Sequence, residues 1–138
     1  MSLIWAPNLT TGIDWQDNQH KELFKKINAL IDAMNQGKAG DEIGGLFSFL
    51  DNYVREHFRN EETAMDKHKY PDSAGHKGQH KKFIDNIKFI KDEFQKENAH
   101  KNIIEARKLL ADWFFEHIAK IDKKLGDFLK PREIDLTP

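Results

Sequence analysis

The chain has 138 residues, of which 22 are basic and 23 acidic, so its formal net charge is −1. This balance lacks the basic excess of a nucleic-acid-binding domain, and no apolar run approaches the roughly 18 residues of a membrane span, so we expect neither nucleic acid nor membrane insertion. Cysteine is absent, which excludes disulfides and cysteine-ligated metal sites. The length predicts a single domain over residues 1–138, and the lack of a signal-peptide pattern predicts a cytoplasmic location.

Residues 1–13 predict an irregular N-terminal arm laid over the core, because their apolar side chains stand among proline, asparagine, threonine and glycine. The first helix is predicted to begin with Asp14 or Asp17 as its cap, since an aspartate accepts hydrogen bonds from the free N–H groups of a helix start. Its inward stripe recurs at helical spacing: His20, Leu23, Phe24, Ile27, Leu30, Ile31 and Met34. Two glycines are predicted to end it, Gly37 and Gly40.

The second helix is predicted from near Asp41 to about Lys67. Its apolar stripe advances in steps of three and four residues, and two consecutive steps near its end are polar: Ile43, Leu46, Phe47, Leu50, Tyr53, Val54, His57, Glu61, Ala64 and Met65. Burying an ionised carboxylate costs free energy unless it is paired or bound to a metal. A His–Glu pair on a partly exposed face and a metal site are both open explanations.

Two further helices complete the predicted architecture. Residues 67–75 read as a loop that contains Pro71, the third helix extends to about Phe94, and the fourth runs from about Ile103 until Pro131 stops it. Residues 131–138 look like a tail or the stub of a linker. With no alternation typical of strands, the pattern predicts an all-α, antiparallel up-down-up-down four-helix bundle.

Five histidines and one carboxylate fall at a common depth in such a bundle. The turn after the first helix and the turn after the third lie at the same end, and these six residues lie 17 to 22 positions from the nearer turn. At about 1.5 Å per residue, all of them occupy one layer about 25–33 Å from that end. They are His20, His57, Glu61, His76, His80 and His117.

Each of these residues has a simpler explanation when taken alone. The two histidines of the third helix suit a solvated helix start, and a single core histidine such as His20 is usually hydrogen-bonded to a carbonyl. Together, at one depth in an apolar core, they favour a metal site. His68 and His100 fall outside the layer, in a loop and at a turn, and are predicted to bind no metal.

Asp122 is harder to place from periodicity. It follows His117 by five residues, which is about 140° around an ideal helix. A surface position, an approach from beside His117, and a local widening of the helix such as a π-bulge all remain open.

The spacing of these residues resembles that of the hemerythrin family, and its prokaryotic branch in particular. The family pattern has one histidine on the first helix, His-Phe-x-x-Glu on the second, His-x-x-x-His on the third and His-Ile-x-x-x-Asp on the fourth. The chain matches it with His20, His57-Phe58-Arg59-Asn60-Glu61, His76-Lys77-Gly78-Gln79-His80 and His117-Ile118-Ala119-Lys120-Ile121-Asp122. The match extends from the N-terminal arm through Tyr70-Pro71 to the end of the fourth helix. Gln79 departs from the glutamate that prokaryotic members often carry there.

The resemblance implies a non-haem di-iron site with a bridging oxo or hydroxo group. It implies three histidines on one iron, two on the other and two bridging carboxylates: His76, His80 and His117; His20 and His57; Glu61 and Asp122. These ligands leave one coordination position open for dioxygen, on the iron with two histidines. The expected dioxygen pocket consists of four apolar neighbours of the ligands in sequence, Phe58, Trp113, Phe114 and Ile118.

We therefore expect reversible dioxygen binding without enzymatic activity, serving carriage, storage, delivery or sensing. The protein would be a monomer, fused to or acting with a larger signalling protein or an oxygen-consuming enzyme. The alternatives are a di-iron oxidase or ferroxidase, the sensory domain of a larger receptor, and a zinc site. Ferritin-type oxidases use two Glu-x-x-His pairs, whereas this chain has one, Glu97 to His100. Seven ligands also exceed the four that a zinc ion takes.

Overall fold

The computed structural model describes residues 3–38, 40–94 and 103–132. Within these ranges the chain forms four long helices, α1 (Asp14–Asn35), α2 (Gly40–His68), α3 (Ser73–Phe94) and α4 (residues 103–129), and no strand. Successive helices run antiparallel, with α1 packed on α2, α2 on α3, and α4 on both α1 and α3. The prediction of an all-α four-helix bundle is confirmed.

Two other expectations about chain organisation are not tested. Residues 133–138, most of the predicted tail, lie outside the described residues, and the assignment of residues 1–138 to a single domain stays a prediction. Among the helices that the structure describes, none has both the length and the apolar composition needed to cross a membrane.

The core consists of two apolar clusters with a polar layer between them. The larger cluster includes the stripes of α1, α2 and α3 and the first half of α4. The smaller cluster contains Ile13, Ala64, Met65, Tyr70, Leu125 and Leu129. Each fully buried aliphatic or aromatic side chain contributes about 1.5–3 kcal/mol. This apolar burial on both sides stabilises a fold whose middle layer is polar.

The start of α1 differs from the prediction. Asp14 is its first residue, Ile13 occupies the cap position, and no side chain caps the helix. Asp17 instead accepts hydrogen bonds from the backbone N and Oγ1 of Thr11, both at 2.8 Å, and from Gly12 N at 3.3 Å. The predicted capping role of Asp14 or Asp17 is therefore wrong, because the Asp17 carboxylate satisfies donors of the arm and ties the arm to α1.

Left-handed residues follow the ends of α1 and α2. Gly37 has φ +65° just beyond α1, which confirms that a glycine ends this helix, whereas Gly40 is the first residue of α2. α2 continues to His68, one residue past its predicted end, and Lys69 then adopts φ 54°. Two residues beyond Pro71, α3 begins at Ser73.

α4 is continuous but changes its winding twice. The segments Arg107–Asp112 and His117–Asp122 are π-helical, and α-helical segments precede, separate and follow them. A π-turn holds one more residue than an α-turn, so it changes which later side chains face the core. The second π segment begins at His117 and ends at Asp122, two residues that an ideal α-helix does not place on one face.

The arm crosses α4 at a glycine. A Cβ added to Gly126 would lie 2.8 Å from Thr11 Cβ and 2.9 Å from the Thr11 carbonyl oxygen. Real Cβ atoms do not approach that closely, so Gly126 allows the arm to lie against α4 while Asp17 holds it on α1.

Gly126→Ala tests this contact. Alanine improves helix propensity by about 1 kcal/mol, but moving the Thr11 backbone to relieve the overlap costs about 1–3 kcal/mol. We therefore expect a lower free energy of unfolding by urea denaturation. Gly45→Ala in α2 is the matched control, because its added Cβ meets nothing within 4 Å, and it should stabilise the protein by up to about 1 kcal/mol. A stabilising effect of Gly126→Ala would contradict the close approach.

Candidate metal centre

The seven side chains predicted to form a metal site all lie in the polar layer, and each is at most 3% exposed. They come from all four helices, and their ligand atoms form two groups in which every atom lies within 4.8 Å of the others. The first group is Glu61, His76, His80, His117 and Asp122, and the second is His20, His57, Glu61 and Asp122. The two carboxylates belong to both groups.

The two oxygens of Glu61 face different histidines. Oε2 lies 3.1 Å from His57 Nε2 and 3.4 Å from His20 Nε2. Oε1 lies 2.9 Å from His80 Nε2 and 3.6 Å from His76 Nε2. One carboxylate thus offers one oxygen to each group.

Asp122 divides its oxygens in the same way. Oδ2 lies 2.9 Å from His20 Nε2, while Oδ1 lies 3.0 Å from both His76 Nε2 and His117 Nε2. The π-helical segment His117–Asp122 places the carboxylate on the inward face beside the His117 ring. Of the explanations that periodicity left open, the local widening of the helix is the one found.

The potential ligand atoms of this centre lie close together but do not form hydrogen bonds with one another. No hydrogen-bond partner within the described ranges is found for Nε2 of any of the five histidines, for Glu61 Oε1 or for either oxygen of Asp122. Their close N–O approaches therefore lack hydrogen-bond geometry. Separations of about 3 Å are those between adjacent ligands of an octahedral ion bound at about 2.1 Å. The orphaned atoms and the mixed imidazole and carboxylate donors fit a pair of metal ions.

Three polar side chains that the sequence analysis did not single out support the ligands from outside. His57 Nδ1–H donates to Gln19 Oε1 at 2.7 Å, and His80 Nδ1–H donates to Glu62 Oε2 at 2.8 Å. Both contacts leave Nε2 facing the centre, as outer partners of metal-bound histidines do. Gln16 Nε2–H donates to the buried Oε2 of Glu61 at 2.7 Å. Only the helical spacing of Gln16, four residues before His20, could have pointed to it.

In the metal-free centre, burial and the neighbouring charges shift the pKa values of the side chains in opposite directions. Burial lowers the pKa of His20, but the carboxylates of Asp122 and Glu61 outweigh it and raise that pKa to about 9. The same opposition raises the pKa of His76 to about 10. Burial raises the pKa of Glu61, yet His57 and the other histidines hold it well below its usual value. Burial likewise raises the pKa of Asp122, and Glu61 raises it further, yet His117 and His20 hold it well below its usual value.

Aromatic rings enclose the histidines. Phe58 stacks on His80 with ring centroids 3.8 Å apart, and Trp113 stacks on His117 at 4.8 Å. Phe114 contacts the His20 ring edge-on at 5.9 Å. The fourth residue of the expected dioxygen pocket, Ile118, is fully buried in the larger cluster. Phe114 thus contacts the two-histidine group, whereas Trp113 and Phe58 stack on histidines of the three-histidine group.

Two histidines were predicted to bind no metal. His68 is the last residue of α2 and belongs to neither ligand group. His100 lies outside the described residues.

Comparison with known proteins identifies the family. The Hemerythrin HHE cation binding domain family matches residues 11–129. The chain is also 35% identical over 124 residues to Bacteriohemerythrin of Methylococcus capsulatus (strain Bath), covering 90% of this chain and 93% of that protein. The chain belongs to the hemerythrin family. The resemblance inferred from the ligand spacing is confirmed.

Other hemerythrins agree in sequence and in structure. Bacteriohemerythrin of Pseudomonas aeruginosa (strain PAO1) is 38% identical over 129 residues, covering 93% of this chain and 82% of that protein. A crystal structure of wild-type hemerythrin superimposes with a TM-score of 0.76 at 32% identity, covering 91% of this chain and 95% of the other. The family match over residues 11–129 includes α1 to α4, so the ligand-bearing helices lie within the part of the chain that the family shares.

The raised histidine pKa values predict how the metal-free protein responds to pH. A histidine with an ordinary pKa of 6.5 and a folded pKa of about 9 or 10 stabilises the fold fully below pH 6.5, and this contribution is lost as pH rises through the folded value. The urea concentration at the unfolding midpoint of the metal-free protein should therefore decrease as the pH is raised from 6.5 to about 10. The metal-loaded protein is the control, because its histidines are already deprotonated by metal binding. A flat or rising midpoint in the metal-free protein would contradict the buried charge pairs.

Proposed function

We propose that this chain holds two iron ions in the centre and binds dioxygen there reversibly, without catalysing a reaction. The observation that supports this most directly is the division of the oxygens of Glu61 and Asp122 between two sets of histidines. One set has three imidazoles and the other two, so the two metal positions are unequally filled. Membership of the hemerythrin family supports the same function.

The proposed ligands follow the two groups. His76, His80 and His117 would hold one iron and His20 and His57 the other, while Glu61 and Asp122 would each offer one oxygen to each position. Neutral imidazole and carboxylate suit non-haem iron. When bound, the iron pair would supply the electrons for reversible dioxygen binding.

The surrounding side chains favour binding over turnover. Phe114 packs against His20 and Phe58 against His80, so aromatic carbon borders both ligand groups. Such a shell limits the entry of water and anions. We propose that Phe58, Trp113, Phe114 and Ile118 protect the bound dioxygen in this way. We also propose that the chain acts as a monomer in the cytoplasm, which sedimentation and cell fractionation can test.

Iron analysis combined with visible spectroscopy tests the function. We expect about two irons per chain, and a spectrum that appears on oxygenation of the reduced protein and disappears on degassing. One metal ion or fewer per chain would contradict the two-iron centre. Irreversible consumption of dioxygen would point instead to the alternative, a di-iron oxidase.

Two substitutions distinguish a metal ligand from a histidine that does not bind metal. Glu61→Ala should abolish the two-iron centre, because it removes one oxygen from each metal position and leaves its histidine neighbours unpaired. His68→Ala is the control and should leave the iron content unchanged, since His68 belongs to neither ligand group. Loss of iron in His68→Ala, or retention of two irons in Glu61→Ala, would show that the ligand set is wrong. Iron content per folded chain, with helicity checked by circular dichroism, is the measurement.

A further inference from the structure

The two ligand groups are supported from outside by different chemistry. On the two-histidine side the supporting groups are neutral amides, Gln19 on His57 and Gln16 on Glu61 Oε2. On the three-histidine side the supporting group is a carboxylate, Glu62 on His80. A carboxylate that accepts from an imidazole N–H makes the imidazole a stronger electron donor than an amide does.

The contact between Gln16 and Glu61 is the least ordinary of the three. Both side chains are fully buried, and the amide N–H donates to a ligand oxygen itself, at 2.7 Å. The orientation of the amide is determined chemically, because an ionised carboxylate can only accept. The other end of the amide, Gln16 Oε1, is buried with no partner among the described residues, so packing and this one hydrogen bond hold the side chain.

The hydrogen bond from Gln16 acts on the Glu61 oxygen that belongs to only one of the two metal positions. Glu61 Oε2 is the oxygen that faces His57 and His20, whereas Oε1 faces the three-histidine group. Donation to Oε2 withdraws electron density from this oxygen and makes it a weaker ligand. Weakening an anionic ligand costs Fe³⁺ more stabilisation than Fe²⁺, because the attraction grows with the charge of the ion.

We propose that Gln16 is a positioning residue that holds the bridging carboxylate of Glu61 and raises the reduction potential of the iron of the two-histidine group. The inference rests on the proposed di-iron function. The two iron positions would then differ in the groups that hydrogen-bond to their ligands as well as in the number of histidines. Donation by Gln16 favours Fe²⁺ at the position where dioxygen would bind. The Glu62 carboxylate, as acceptor from His80, favours Fe³⁺ at the neighbouring position more strongly than the Gln19 amide, as acceptor from His57, does on its own side.

The test is a redox titration of Gln16→Met and Gln16→Leu in the full chain. Both changes keep a similar volume and helix propensity and remove the donor. In the titration each iron takes one electron from a chemical reductant such as dithionite, Fe³⁺ + e⁻ → Fe²⁺. We expect both variants to load two irons, with a lower midpoint potential for the two-histidine iron. The oxidised-to-reduced ratio of this iron at a fixed potential should rise by about tenfold or more. The iron charge-transfer bands of the oxidised protein should shift together with the midpoint potential.

Gln79→Met in α3 is the matched control. It makes the same chemical change next to His80 in sequence, but within the described ranges the Gln79 side chain has no hydrogen bond to the centre. Its potential and spectrum should equal those of the wild type. An equal shift in Gln79→Met, or wild-type values in both Gln16 variants, would overturn the role of Gln16. A wild-type protein that loads no iron pair would overturn the proposed function as well, so the two failures are distinguishable.

Discussion

Two ionised carboxylates in the middle of an apolar bundle are the constraint that shapes this molecule. Glu61 and Asp122 are fully buried, and isolated charges in such surroundings cost several kcal/mol each. Five imidazoles converge on their oxygens, and the atoms that face one another lack hydrogen-bond geometry. The arrangement is therefore suited to positive ions between the side chains. Apolar clusters above and below supply the stabilisation that this polar layer lacks.

The bundle meets this constraint with a departure from regular helix geometry. An α-helix would turn Asp122 away from the face that carries His117, and the π segment between them corrects this. His117 and Asp122, the first and last residues of this segment, both lie in the centre, and Leu125 just beyond the segment lies in the smaller cluster. The arm, tied to α1 by Asp17 and lying against α4 at Gly126, connects the two helices beside the centre.

The centre is also unequal in ways that the ligand count alone does not describe. Amides support the two-histidine side and a carboxylate supports the three-histidine side. Outer partners of this kind orient metal ligands and tune their donor strength. For the proposed reversible binding of dioxygen, the balance between the two iron oxidation states matters as well as the presence of the irons.

The sequence alone determined the helices, their inward stripes and the common depth of the histidines, because these depend on local spacing and on counting residues from the turns. The ligand spacing also identified the family. The family resemblance also placed Asp122 among the ligands, but only the tertiary structure showed how Asp122 reaches the centre, since helical periodicity left a surface position and a π-turn both open. The same holds for Asp17, which binds the arm rather than capping α1, and for Gln16, whose partner lies 45 residues away on another helix. Hydrogen bonds between distant segments form only where the fold places donor and acceptor together, so no local pattern in the chain could specify them.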